Sequence, residues 1–137
     1  MKALPDAISY EDAARLVKNV ERVFGAGDIA QIMEGFTDDV VVRFADRPEM
    51  HGKAEVEAFL RKRFARQKNY RLTKHLRLVS GNMLGNMWDG EWEDAQTGRT
   101  MQGRGTEFWT LRDGKVAVWE ATFNVWEKGA APPSPFM

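Results

Sequence analysis

Asp113-Gly114 leaves this chain few choices. Aspartate-glycine suits a two-residue type I′ turn, and the residues on either side alternate, so two long antiparallel strands must leave it. With Arg112 opposite Lys115, counting outward pairs Leu111 with Val116, Trp109 with Val118, Glu107 with Glu120, Gly105 with Thr122 and Gly103 with Asn124. Side chains alternate between the two sides of a strand, so these pairs share one face. That face is apolar near the turn, carries two carboxylates at mid-length, and is small and polar beyond them.

A second turn at Thr97-Gly98 sets Trp92 opposite Gly103, Gly90 opposite Gly105 and Trp88 opposite Glu107. Both tryptophans then join the glutamates, with glycines leaving room above the sheet. A slip of one residue in this turn would send both to the other side. The expected surface is a cavity wall with aromatic sides and an acidic centre. The opposite face is expected to carry Met87, Phe108, Trp119, Ala121 and Phe123, with a Glu91–Arg104 cross-strand ion pair. Neither face is polar enough to meet water. Helices are expected to cover one, and a second copy of the chain the other.

The helices are expected earlier. Ser9 with Glu11 and Asp12 reads as an N-cap followed by an acidic first turn. Ala13, Leu16, Val17, Val20, Val23 and Phe24 then recur at helical spacing until Gly25-Ala26-Gly27 ends the run. Asp28 caps a short second helix with Ile29, Ile32, Met33 and Phe36, and Thr37-Asp38-Asp39 turns into a strand over Val40–Phe44. A third helix over 53–68 buries Val56, Phe59, Leu60 and Phe64. A strand over Tyr70–Ser80 places Leu72, Leu76 and Leu78 on one face, and Gly81-Asn82 turns into the tryptophan strands. Residues 1–8 are expected to form a loose arm, and 129–137 a disordered tail beyond a single domain over 1–128.

Composition excludes several classes of function. At 137 residues one core suffices, and the formal net charge of zero argues against bulk affinity for nucleic acid or membrane. Without cysteine there are no disulfides, thiolate chemistry or cysteine-based metal sites, and a reducing compartment fits. No apolar run approaches the roughly 20 residues that span a bilayer, and the start lacks a signal-peptide pattern, so the cytoplasm is expected. Between Ala58 and Trp88 there are eight basic residues and no acid, but no interleaved aromatics suggest base stacking, so a solvated, acid-paired face is expected. His51 and His75, the only histidines, make a weak case for a metal, and no metal site is expected.

Several stretches resemble the nuclear transport factor 2-like (SnoaL-like) superfamily, shared with ketosteroid isomerases and polyketide cyclases. They are the first helix ending in Gly27-Asp28-Ile29, then Phe36-Thr37-Asp38-Asp39-Val40, His51-Gly52-Lys53, and the long closing strands. Tyr70-Arg71-Leu72, Lys74, Glu91-Trp92, Gly105, Glu107, Trp109 and Asn124 look like an uncharacterised bacterial subgroup of it. The resemblance implies an α+β, cone-shaped fold: a curved, mostly antiparallel sheet wrapped around three helices from the N-terminal half, enclosing a hydrophobic pocket. It also implies a homodimer packed through the outer sheet face. The superfamily holds isomerases, cyclases, dehydratases and non-catalytic binders, so the fold alone does not choose among them. The aspartate–histidine dyad of the dehydratases has no counterpart, and Asp39 and Asp46 are the acids nearest the isomerases' aspartate base.

Glu107 and Glu120 are the candidate catalytic pair. Two carboxylates facing each other in a dry site cannot both ionise cheaply, and one becomes an acid or base near neutral pH. In that reading Arg43, Lys74 and Asn124 stabilise developing negative charge. Otherwise a cation, Arg43 or Lys74, neutralises the pair and the cluster only supports the fold. Trp88, Trp92 and Trp109 offer flat walls to a ligand or simply pack the core. Thr122 and Asn124 orient a carbonyl or hydroxyl, or bond the local backbone. Lys74 alternates with Leu72 and Leu76 and so points inward, where it needs a partner. The expected function is cofactor-free acid–base chemistry of isomerase, cyclase or dehydratase type on a hydrophobic carbonyl compound. The alternative is a non-catalytic ligand-binding or dimerisation module whose cavity is filled by its own side chains.

Overall fold

The computed structural model describes residues 6–131. Its elements are α1 (Tyr10–Ala26), α2 (Ile29–Glu34), β1 (Phe36–Phe44), β2 (Met50–His51), α3 (Lys53–Arg66), β3 (Gln67–Ser80), β4 (Met83–Asp94), β5 (Thr100–Arg112) and β6 (Lys115–Glu127). The strands form one sheet in the order β2-β1-β6-β5-β4-β3. Only β1 and β6 run parallel, because β6 returns beside the first strand after the three antiparallel turns are spent. The α+β class and the helices of the N-terminal half are as expected, and the sheet curves around them.

Local chemistry sets the helix ends. The Ser9 side chain accepts the Asp12 N–H, and Gly27 closes α1 at φ 67°, a left-handed conformation that costs glycine little. The Asp28 side chain caps α2 through the Gln31 N–H at 3.1 Å. Ala13, Val17 and Phe24 of α1, Ile32 and Met33 of α2, and Val56 and Leu60 of α3 are buried against Val40, Val42 and Phe44 of β1 and Leu84, Trp109 and Leu111 beyond. Residues 6–8 are tied down rather than loose: the Ile8 N–H donates to Gly81 O at 3.1 Å, and Asp6 accepts from the Asp113 N–H. Residues 1–5 of the expected arm and 132–137 of the expected tail lie outside the described residues.

Three irregularities correct the expected strands. β1 begins at Phe36, not Val40, because Phe36 already pairs with Val116 and the Val116 N–H donates to Gly35 O. In β3 the register shifts between Leu76 and Leu78, which turns Leu78 out against Gly85 while Leu72 and Leu76 stay inward. In β6 the ladder passes from Leu111↔Val116 to Thr110↔Val118, leaving Ala117 unpaired.

The extra residue at Ala117 has the widest effect. Beyond it Trp109 faces Trp119, Glu107 faces Ala121 and Gly105 faces Phe123, so the expected pairing of Glu107 with Glu120 does not form. Trp119, Ala121 and Phe123 are on the inner face, not the outer one, and Glu120, Thr122 and Asn124 are on the outer face. The β4–β5 ladder departs from expectation by two residues: Trp88 pairs with Gly105, Gly90 with Gly103 and Asn86 with Glu107. An even shift preserves sidedness, so Trp88 and Trp92 remain with Glu107. The expected Glu91–Arg104 pair is also replaced, since Glu91 bonds Arg71 and Lys128, and Arg104 bonds Asp89 at 2.8 Å.

The glycines seat rings rather than hold space open. A Cβ at Gly103 would lie 3.2 Å from the edges of both Trp88 and Trp92, and one at Gly90 would lie 2.9 Å from the Tyr70 ring. At Gly105 it would lie 2.5 Å from the backbone oxygen of Thr122 and 2.9 Å from Trp88. The indoles thus pack over these glycines, and the cavity they line lies beyond them.

Candidate functional site

A cavity of about 540 Å³ opens between the inner sheet face and the helices. Phe44 from β1, Tyr70 from β3, Trp88 and Trp92 from β4 and Phe123 from β6 form its sheet wall, and Phe24 and Phe59 come from the helices. The aromatic walls brace one another: Trp92 meets Tyr70 edge to face at 5.9 Å between centroids, and Trp88 lies 5.9 Å from Phe123.

Lys74 and Glu107 lie at the closed end, 4 % and 1 % exposed. Lys74 Nζ donates to Glu107 Oε2 at 2.6 Å, and Asn86 Nδ2 donates to the same oxygen at 3.2 Å. The Trp119 indole N–H donates to Oε1 at 3.0 Å. Four strands therefore meet at one carboxylate: Asn86 sits directly opposite it in the ladder, Lys74 comes from one strand further, and Trp119 comes diagonally from β6. Lys74 Nζ also lies 5.5 Å from the Trp109 ring and 6.0 Å from Phe24. Burial pushes the Lys74 ammonium below the usual lysine range, and Glu107 offsets this only in part. The backbone carries the same residue firmly, since the Lys74 N–H donates to Glu21 Oε2 at 2.7 Å.

At the open end Arg66 grips Asp94 through two bonds of 2.7 and 3.1 Å, and the bonds from Arg66 and Thr97 hold that carboxyl far below the usual range. Arg63 donates to Gln67 and to the Tyr70 hydroxyl, at 3.0 and 3.3 Å. Burial raises the Tyr70 hydroxyl pKa, with Arg63 pulling the other way.

Of the residues expected at the site, Lys74, Trp88, Trp92 and Glu107 come together at the cavity. Trp109 is buried beneath Lys74 and does not reach this space. Glu120, Arg43, Thr122 and Asn124 do not reach it either, because the Ala117 bulge reverses β6 and Arg43 pairs with Glu120 on the outer face. There Arg43 bonds Glu49 at 2.7 Å and meets Glu120 at 3.5 Å, so Glu107 is neutralised by Lys74 and not by Arg43. Thr122 bonds Thr106 at 3.1 Å, and Asn124 is exposed opposite Arg104. His51 and His75 are exposed beside Glu49 and Asp89.

Asn86, Trp119, Tyr70 and Arg63 were not anticipated. Asn86 shares the alternation of Trp88 and Trp92 and could have been read from it. Trp119 could not, since the apolar run Val116-Ala117-Val118-Trp119 carries no alternation to reveal the extra residue.

The SnoaL-like domain profile matches residues 17–119, well over half of the chain. No curated protein matches it significantly. Among solved structures it is similar to a Bacillus subtilis protein provisionally called an isomerase, with TM-score 0.74, 15 % identity, and 84 % of this chain and 88 % of the other covered. The epoxide hydrolase/cyclase-like enzyme SalBIII of pyran ring formation in the polyether salinomycin superposes with TM-score 0.74 at 16 % identity, covering 85 % of this chain and 97 % of that one. A nuclear-transport-factor-2-like protein of unknown function from Burkholderia pseudomallei gives TM-score 0.73 at 19 % identity, over 85 % and 92 %. At these identities the likeness is one of fold.

Proposed function

This chain belongs to the SnoaL-like domain family, and from that premise we propose that it performs cofactor-free acid–base chemistry on a hydrophobic carbonyl compound. The observation that carries the reading is the buried Lys74–Glu107 pair at the closed end of an aromatic-walled cavity. Lys74 spends one N–H on Glu107 and has two left for a ligand oxygen. A carbonyl there would receive ammonium donors in a site nearly free of water, where they stabilise developing negative charge far better than in solution.

The proposed step is removal of a proton from the carbon next to that carbonyl. Glu107 takes the proton, the bonding pair moves to the carbonyl oxygen, and Lys74 holds the enolate. In a β,γ-unsaturated ketone, return of the proton to the γ carbon shifts the double bond and isomerises the compound. In a ligand with a second carbonyl, attack by the enolate carbon on that carbonyl closes a ring, the carbonyl's π pair moving to its oxygen, which takes the proton from Glu107. Asn86 and Trp119 fix the carboxylate in place, the positioning role that hydrogen-bonding supports play around a reacting group. Glu120, Arg43, Thr122 and Asn124 have no part in it.

A second reading has one observation in its favour: Glu107 already accepts three hydrogen bonds, as a structural carboxylate would. The chain would then be a non-catalytic binder. Deuterium exchange separates the two. Hydrophobic ketones incubated with the protein in heavy water should lose their α-proton signals, and Glu107→Gln should abolish the exchange while leaving ketone binding. Exchange undiminished in Glu107→Gln would remove the catalytic role.

The outer sheet face exposes Leu78, Met83 and Phe108, which supports a homodimer through that face; a monomer mass by light scattering would sink this. We place the protein in the cytoplasm as one domain over residues 1–128, a reading that targeted imaging of the full chain would test. No helix among the described residues is long and apolar enough to cross a membrane.

A further inference from the structure

The cavity is strongly cationic in a chain whose formal charge is zero. Five basic side chains line it against two carboxylates, and both carboxylates are already matched, Glu107 by Lys74 and Asp94 by Arg66. That leaves Arg47, Lys62 and Arg63 toward the open end, none with a carboxylate partner among the described residues. Two neighbouring arginines are paired. Arg61 pairs with Glu57 at 3.3 Å and Arg71 with Glu91, both facing away from the cavity. Exposed Lys68 and Arg77 also lack a carboxylate partner among the described residues, so what sets Arg47, Lys62 and Arg63 apart is their place together at the cavity.

Arg63 is the most informative of the three. It is half-buried, and its guanidinium is held by two neutral acceptors, Gln67 and the Tyr70 hydroxyl, 5.7 Å from the Tyr70 ring centroid. Such partners orient the guanidinium without discharging it. Arg47 is aimed in the same manner, 5.1 Å over the Phe59 ring. A planar guanidinium pre-set on an aromatic face, with donors left over, matches the paired oxygens of a carboxylate or phosphate.

We propose that the ligand is an amphiphilic organic acid, with an apolar body between Trp88, Trp92 and Phe123 and an anionic group on Arg63, Lys62 and Arg47. The proposal rests on the pocket reading above and adds the charge and orientation of what enters. The anion stays at the rim, so the opposite end of the body is delivered to Lys74. Binding energy from a group remote from the reacting carbon then positions that carbon, as remote contacts commonly do.

A matched pair of fluorescent probes tests this: anilinonaphthalene sulfonate and its uncharged parent, phenylnaphthylamine. The native protein should bind the sulfonate at least about tenfold more tightly, one charge-assisted contact's worth, and the margin should shrink with added salt. Lys62→Gln combined with Arg63→Gln should erase most of that margin while phenylnaphthylamine binding stays within about twofold. Arg61→Gln, on the same helix but facing away, should leave the margin intact. Equal binding of the two probes, or a margin that survives the double substitution, overturns the anionic-ligand proposal and leaves the pocket reading standing. If neither probe binds, both fall. With the margin established, competition by naphthylacetate against naphthyl phosphate tells a carboxylate from a phosphate ester.

Discussion

Removing one partner of the Lys74–Glu107 pair should cost far more than removing both. The two side chains are 4 % and 1 % exposed and joined at 2.6 Å. In Lys74→Met the methionine fills the lysine's apolar volume, but Glu107 keeps only the Asn86 and Trp119 donors for a buried charge. Stranding a buried ion in this way costs roughly 3–5 kcal/mol. Glu107→Gln strands the ammonium instead, although a lysine whose pKa burial has already lowered can shed its proton, so the loss should fall below that range, about 2–3 kcal/mol. The double variant carries no buried charge, and the carbonyl oxygen of the introduced amide can still accept from Trp119. It should come within about 1–2 kcal/mol of the native protein, so the two losses fail to add by several kcal/mol. Urea unfolding followed by tryptophan fluorescence reads all three. With a slope of about 1.5–2 kcal/mol per molar for a chain this size, Lys74→Met should move the midpoint by about 2 M. Additive losses, or a Lys74→Met variant within about 1 kcal/mol of native, would refute the claim that these charges depend on each other. Activity gives the second axis: the double variant should be restored in stability and inert in α-proton exchange.

Gly105→Ala should destabilise by roughly 3 kcal/mol or more, because its Cβ would meet the Thr122 backbone oxygen at 2.5 Å, and a strand backbone cannot step aside. Gly103→Ala meets only indole edges at 3.2 Å, so about 1 kcal/mol is expected; the reverse order in urea midpoints would discredit the seating of Trp88. On the acid side, the Asp94 pKa lies below its ordinary 3.8 when folded, so its bonds to Arg66 and Thr97 contribute fully above that value. The contribution is lost as pH falls toward the folded value. Asp94→Asn should therefore flatten the fall in melting temperature below about pH 4, and an unchanged acid limb would remove Asp94 from that account.

Much of the fold was legible because its signals are local. Ser9 and Asp28 cap helices with their own side chains, and Gly27 ends one by its left-handed φ, which needs no knowledge of the rest of the chain. The site was legible only as far as strand alternation holds. Trp88 and Trp92 joined Glu107 despite a misplaced register, because the error was two residues and sidedness repeats every two. Glu120 failed because one unpaired residue, Ala117, lies between it and the turn from which it was counted. Lys74 was expected inside, but its partner was not identifiable: which cation meets Glu107 depends on β3 lying next to β4 while β1 lies beyond β6. Asn86 has no motif at all, only a position opposite Glu107.

The outermost strand raises a different problem, that of keeping copies from adding strands to one another. β3 is 14 residues long and ends the sheet, so its free side is a template for a foreign strand. α1 blocks the middle of that template: Glu21 takes the Lys74 N–H, and Lys18 Nζ donates to the Lys74 carbonyl at 3.3 Å. Irregularities between Lys68 and Arg71 and between Leu76 and Leu78 break the regular edge on either side. The residue that delivers an amine to the cavity is thus also where the sheet is sealed. Loosening α1 at Glu21 would expose the chain to aggregation at the same point where it disturbs the pocket.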